Sequence, residues 1–190
     1  METASFVIGV VALLVGVLAI PTILQMYFGR PRLTFEADDF TGPDARILLI
    51  KIQNEPVKSK LLLLLGIERE PGGLLAFVSV QKLGTNEILV RAAPGLLNCT
   101  PLRSLGLSAR ALPGFVVGLA VISTRKGTAH IVDARAGDTD DGIPIAPGAY
   151  MANIAIVRGQ RTYNIKQTFT VGAEDHRTFW DSRKVEYIRS

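Results

Sequence analysis

The 190-residue chain holds a single cysteine, Cys99, two histidines, His130 and His176, and one tryptophan, Trp180. One cysteine excludes an intramolecular disulfide and any cysteine-based zinc cluster. The sequence contains no His-Glu-x-x-His, no Gly-x-Ser-x-Gly and no Gly-x-x-x-x-Gly-Lys-Ser/Thr, so it lacks the signatures of zinc metalloproteases, serine hydrolases and phosphate-loop enzymes. No block of five or six like charges occurs, which removes the stripe a nucleic-acid partner would need. Finally, no lysine or arginine precedes Arg30.

That last absence frames the longest feature present. Ala4 to Phe28 are 25 consecutive residues without a charge, preceded only by Glu2 and closed by Arg30 and Arg32. As an α-helix this stretch reaches roughly 37 Å, enough to cross a ~30 Å hydrocarbon core with some tilt. A secretory signal would begin with basic residues, carry a shorter apolar stretch and end on small residues. Here Met1-Glu2-Thr3 has no base, and the bulky Leu24-Gln25-Met26-Tyr27-Phe28 occupies the place of a cleavage site. The expectation is a retained transmembrane helix over 4–28, a basic junction over 29–31, a β-sandwich domain over 32–172 and a tail over 173–190. The next apolar run, Leu61–Leu65, is five residues long and too short to span.

Flanking bases set the orientation of such a helix. The N-terminal flank has none, whereas Arg30, Arg32, Arg46 and Lys51 follow the helix, so the reading is an N-terminus outside and the large domain in the cytoplasm. A periplasmic or extracellular domain is the alternative, because anchored all-β modules often face outward. Tyr27, Phe28, Arg30 and Arg32 fall at the membrane–water interface in either case. Within the helix, Ser5, Gly9, Ala12, Gly16 and Ala19 recur at spacings of four and three and so share one stripe, where two helix backbones can approach closely. That stripe allows a homodimer through the helix; the competing reading is that glycine and alanine are simply common in membrane helices. Beyond the helix lie 21 basic against 16 acidic residues, interspersed, which makes a mildly basic surface.

Period-two alternation dominates the remainder. Leu33, Phe35 and Ala37 alternate with Thr34 and Glu36, and Leu48, Ile50 and Ile52 share a face opposite Lys51 and Gln53. Lys60 to Glu70 reads as a leucine-rich strand buried on both faces. Pro71-Gly72-Gly73 and Gly84-Thr85-Asn86 mark turns around Leu74–Val80. Val116–Ser123 and Thr128–Ala134, joined at Lys126-Gly127, form one hairpin; Tyr150–Ile156 and Tyr163–Val171, joined at Arg158-Gly159-Gln160-Arg161, form another. The stretch between Pro94-Gly95 and Pro113-Gly114 reads as a long connection with a helical turn around Pro101–Ala111.

The segment Ile145-Ala146-Pro147-Gly148-Ala149-Tyr150, with Phe169-Thr170-Val171-Gly172 closing the second strand, resembles the last hairpin of immunoglobulin-like or fibronectin-type-III-like bacterial modules. The resemblance covers about residues 145–172. It implies an all-β, immunoglobulin-like antiparallel sandwich of seven to nine strands behind the helix, without the disulfide and strand-C tryptophan of antibody domains. It carries over no functional residues.

Candidate chemistry is sparse. Asp138-Thr139-Asp140-Asp141-Gly142 offers alternating carboxylates of the kind that bind Ca²⁺, but the glycine stands fifth rather than sixth and Ala149 fills the twelfth position, where a closing glutamate belongs. His130 has Asp133 nearby in sequence and His176 follows Glu174-Asp175, yet no nucleophile motif accompanies either. Cys99 reads as a small buried hydrophobe. The tail brings Phe179, Trp180, Tyr187 and Ile188, which either cover an open end of the core or meet a partner. The expected protein is therefore a single-pass, membrane-anchored, non-catalytic protein-interaction module with the lipid bilayer and a protein as partners, no catalytic site, no cofactor and no metal. An envelope-facing carbohydrate- or ligand-binding domain is the alternative, and an enzyme of unrecognised type a third. Replacing Gly9 and Gly16 by isoleucine should abolish any dimer trapped by cross-linking in membranes; an unchanged dimer would remove the helix stripe from consideration.

Overall fold

The computed structural model describes residues 2–42, 45–85, 87–99, 104–106, 108–125, 127–136, 142–173 and 177–189, with backbone alone for 2–9, 14, 99, 104–106 and 136. The uncharged segment is one helix, α1 (Glu2–Phe28), uninterrupted at Pro21. Val10–Phe28 has a mean hydropathy of 2.2, and none of that stretch is buried by the rest of the chain.

Strands follow in chain order. The first two, β1 (Leu33–Thr41) and β2 (Ala45–Asn54), pair from Leu33 opposite Asn54 to Thr41 opposite Arg46. A short helix, α2 (Lys60–Leu64), precedes β3 (Gly72–Lys82), β4 (Ile88–Pro94), β5 (Leu96–Cys99), β6 (Ser104–Gly106) and β7 (Ser108–Ala111). Next come β8 (Val116–Arg125), β9 (Thr128–Ile131), β10 (Ile143–Ile145), β11 (Gly148–Arg158) and β12 (Arg161–Val171). The tail supplies β13 (Thr178–Trp180) and β14 (Glu186–Arg189). They form two antiparallel sheets. The first runs β1-β2-β8-β5-β6, with β9 on the far half of β8 and β10 beyond it; the second runs β13-β12-β11-β3-β4, with β14 on β12 and β7 on β3.

The alternation seen in sequence decides which side chains meet. On β2 every second residue from Leu48 to Asn54 is buried, and on β3 every second residue from Gly72 to Val80. Leu48, Ile50, Ile52, Val117 and Leu119 of the first sheet and Leu74, Val78, Ile154, Ile165 and Phe169 of the second belong to one continuous core. A register shift between β2 and β8 leaves Val121 as an extra residue, after which Ile122 and Thr124 turn inward. Thr124 Oγ1 then meets Thr178 Oγ1 at 3.0 Å in the buried interior.

Three features depart from the sequence reading. The run from Lys60 is a helix, not a two-sided buried strand: Leu61, Leu63, Leu64 and Leu65 are exposed. Leucine favours helix over strand when no β-branched residue accompanies it, and Gly66 (φ +70°) ends the turn with Gly66 N–H to Leu63 O (3.0 Å) and Ile67 N–H to Leu62 O (2.9 Å). Around 101–111 the described backbone is strand, β6 and β7, rather than a helical turn. The strands number fourteen among the described residues, against seven to nine expected; eight (β1–β5, β8, β11 and β12) make the frame, and long strands such as β3, β8 and β12 each take two short partners end to end.

The tail crosses the seam between the two sheets. From β13 on the edge of β12, Asp181 N–H donates to Thr168 O, Ala37 N–H on β1 donates to Arg183 O (3.2 Å), and β14 returns to pair with Tyr163–Lys166. Trp180 packs edge-on against Phe169 and donates Nε1–H to Asp38 O at 2.9 Å, while Tyr187 meets Phe35 and Tyr163. Backbone groups on two exposed edges are thereby satisfied.

At the opposite end of β2 sits Asn54, fully buried. Its Oδ1 accepts from Arg32 N–H (3.1 Å) and its Nδ2 donates to Glu70 O (3.0 Å) and Ala111 O (3.2 Å). Its own carbonyl accepts from Gly114 N–H at 2.8 Å. Asn54→Ala strips partners from one amide and two carbonyls at once and should destabilise the domain by about 2–4 kcal/mol, read as a lower urea midpoint. An unchanged midpoint would show that water replaces the amide without cost.

Candidate membrane-facing surface and apolar sheet face

The end of α1 is fastened to the domain by the loop that carries α2. Gln25 Nε2 donates to Glu68 O (2.8 Å) and Gln25 Oε1 accepts from Glu68 N–H (3.2 Å), so one side chain holds both backbone polar groups of Glu68. Gly29 N–H closes the helix on Gln25 O (2.8 Å), and Glu70 N–H donates to Gly29 O (2.7 Å). A Cβ on Gly29 would lie 2.3 Å from Gln25 Nε2 and 2.5 Å from Gln25 O, so a glycine is needed where the side chain and backbone of Gln25 crowd the exit. The last helical carbonyls, which carry the negative end of the helix dipole, take cationic donors from outside the helix: Arg30 Nε–H to Met26 O (3.0 Å) and Arg69 Nη1–H to Phe28 O (3.3 Å).

Around this exit the fold collects arginines from four places. Arg30 and Arg32 come from the segment between α1 and β1, Arg69 from the loop, Arg158 and Arg161 from the β11–β12 turn, and Arg189 from β14. Arg30, Arg32, Arg69, Arg161 and Arg189 line one cavity of about 370 Å³ with Tyr163 and Tyr187; Arg30, Arg158 and Arg161 line a second of about 490 Å³. Among the described residues only Arg32 of these six has a carboxylate partner, Glu55 at 3.5 Å. The collar is cationic and suits phosphate or carboxylate oxygens.

A second surface lies on the outer face of the first sheet. Gly118 and Ala120 on the central strand β8 are small, while Ile47 and Leu49 on β2 and Leu96 on β5 flank them, so the face is concave. The trough holds about 440 Å³, with Val116 and the exposed Phe40 at its margins and Asp38, Lys51 and Asn98 on its rim. Lys51 is paired with Asp38, and its hydrogen bond holds the Asp38 carboxyl below the ordinary carboxylate value of 3.8 despite some burial. A depressed acid contributes stability above its unfolded value and loses it as the pH falls through the folded one, so this rim pair holds at neutral pH and fails only in acid.

The residues singled out in sequence fall as follows. Tyr27, Phe28, Arg30 and Arg32 stand at the helix end, all exposed, and Arg30 and Arg32 join the collar. Ala12 and Gly16 are exposed and Ala19 half-buried; a Cβ on Gly16 would meet nothing within 4 Å, and the side chain of Ser5 and the surroundings of Gly9 lie outside the described residues. His130 Nδ1 lies 3.3 Å from Gly142 O, while Asp133 Oδ1 accepts from Arg135 N–H (3.0 Å), so no His130–Asp133 pair forms. His176 and the Asp138–Asp141 run lie outside the described residues, as does the side chain of Cys99. Arg69, Arg189 and the hairpin pair Arg158 and Arg161 escaped the sequence reading because these three places are 28 to 120 positions apart along the chain and meet only through the fold.

With this geometry in view, no family model, no curated protein and no solved structure matches the chain. Function must therefore be argued from the surfaces themselves. Gln25→Leu keeps the helix apolar but deletes both bonds to Glu68, and should speed amide exchange at Ile67–Glu68 about tenfold in a reconstituted bilayer. Unaltered exchange there would mean that the loop is held without the clasp.

Proposed function

We propose that this protein is a single-pass, membrane-anchored, non-catalytic module of immunoglobulin-like type that holds a protein partner on the outer face of its first sheet. The observation that carries the reading is an apolar helix in which no residue from Val10 to Phe28 is buried by the rest of the chain, fastened to a folded domain through Gln25, Gly29 and Arg69. Water is a poor environment for such a helix, whereas a bilayer satisfies it, and its backbone bonds are already internal.

The immunoglobulin-like assignment draws support from strand order. In one sheet β1-β2-β8-β5 follow the A-B-E-D order, and in the other β4-β3-β11-β12 follow C′-C-F-G. Tyr150, near the start of the strand in the F position, donates its hydroxyl to Ala146 O at 2.6 Å, in the manner of the tyrosine corner of such domains. Burial pushes the Tyr150 hydroxyl above its usual pKa, consistent with a neutral, donating phenol.

A protein partner suits the trough because its lining is aliphatic, with one exposed ring, Phe40, rather than the aromatic platform a sugar would stack on. The arginine collar favours the anionic cytoplasmic leaflet, which agrees with the orientation read from Arg30 and Arg32. Tethering confines the domain to the bilayer plane and so raises its effective concentration toward partners in the same membrane.

A photoreactive residue at Ala120 of the full chain, expressed in its membrane, should give a discrete protein adduct, while the same residue at Thr168 on the outer face of the other sheet should not. Gly118→Leu, whose new side chain enters the trough with only Asn98 O near its Cβ (3.9 Å), should erase that adduct. An adduct that survives Gly118→Leu, or equal labelling from both faces, would overturn the partner site. An alkaline phosphatase fused after Ser190 should be inactive; an active enzyme would reverse the orientation.

A further inference from the structure

We infer that the loop between β2 and β3, residues 56–70, is a second membrane contact that seats the leucines of α2 in the leaflet from which α1 emerges. The inference rests on the reading of α1 as a membrane anchor and adds to it a surface that fixes how the domain sits on lipid.

The level of the loop is set by hydrogen bonds. Glu55 N–H donates to Arg32 O (2.9 Å) where the loop leaves the domain, yet Glu68 pairs with Gln25, which is inside α1 and one turn before its end. The loop therefore descends alongside the apolar helix. On that part of α1, Leu24 and Gln25 are half-buried while Thr22, Ile23, Met26 and Tyr27 are exposed, as expected if the loop covers one face.

The chemistry of the loop fits lipid. Val57 and Ile67 are buried at its two ends and pin it to the protein. Between them Leu61, Leu64 and Leu63 expose 67, 85 and 48 % of their surface, a patch that water disfavours. The backbone there is internally bonded: Leu63 N–H to Ser59 O, Leu65 N–H to Leu61 O, Gly66 N–H to Leu63 O and Ile67 N–H to Leu62 O. An apolar medium accepts only backbone whose polar groups are satisfied in this way. Exposed Lys58 and Lys60 precede the leucines, with stems long enough to keep their charges at the headgroups, and the arginine collar stands at the level where phosphates would lie.

The test uses the full chain with Cys99→Ser in phosphatidylcholine–phosphatidylglycerol vesicles, carrying an environment-sensitive dye at Leu64→Cys, at Val15→Cys within α1, or at Thr85→Cys in the turn at the far end of β3. The expected result is a blue-shifted dye at 64 whose emission is lost to spin-labelled lipid and retained against aqueous iodide, with the reverse at 85. If 64 behaves like 85 while 15 is still quenched by lipid, the loop contact is overturned and the anchor stands. If 15 also escapes the lipid quencher, the anchor reading falls and the loop contact with it. A dye at 64 shielded from both quenchers would mark contact between copies and equally overturn the inference.

Discussion

The buried amide of Asn54 is the constraint on which the arrangement of this molecule depends. It stands where four segments meet: the chain arriving from the helix at Arg32, the loop returning at Glu70, the end of β7 at Ala111, and the lead into β8 at Gly114. A carboxamide offers an acceptor oxygen and two donor hydrogens, and here the oxygen and both hydrogens are matched to backbone groups, that of Ala111 in the buried interior. Neither aspartate, with no donor when ionised, nor leucine, with none at all, can replace it. Because the same residue also ends β2, the register of the first sheet and the attachment of the helix are set together.

That coupling gives the helix exit its character. With Arg32 and Glu70 fixed, the loop has little freedom except to run down beside α1, where Gln25 meets it. Each leucine left exposed on α2 forgoes roughly 1.5–3 kcal/mol of burial, so a domain alone in water gains nothing from presenting them. The clasp, the cationic capping of the helix carbonyls and the leucine patch make physical sense together on the proposed membrane surface. On the outer face of the first sheet, the trough over Gly118 and Ala120 is the apolar surface that the proposed partner site uses.

Much of the architecture was legible from residue spacing. The β11–β12 hairpin and the β8–β9 hairpin follow from alternation and from Gly159 and Gly127, both at positive φ, because period-two burial and a turn residue act over a few positions. The leucine run misled because five consecutive leucines carry no period: composition alone does not separate a strand buried on two faces from a short helix exposed on one. Its ending at Gly66, in a left-handed C-cap, was the local signal for a helix. Beyond Arg30 and Arg32, the arginine collar and the trough had no signal, since each assembles side chains from segments distant in sequence.

What the sequence determined by itself is therefore what depends on neighbours along the chain: an uncharged segment long enough to cross a bilayer, strands with one apolar face, and the turns between them. Tertiary structure decided what depends on neighbours across it. Asn54 reaches Ala111 over 57 positions, Gln25 reaches Glu68 over 43, and Trp180 reaches Asp38 over 142. Such contacts follow from which strands lie side by side, a choice made by the whole core at once, and only that choice places the arginines at the foot of the helix and leaves Gly118 at the floor of a trough.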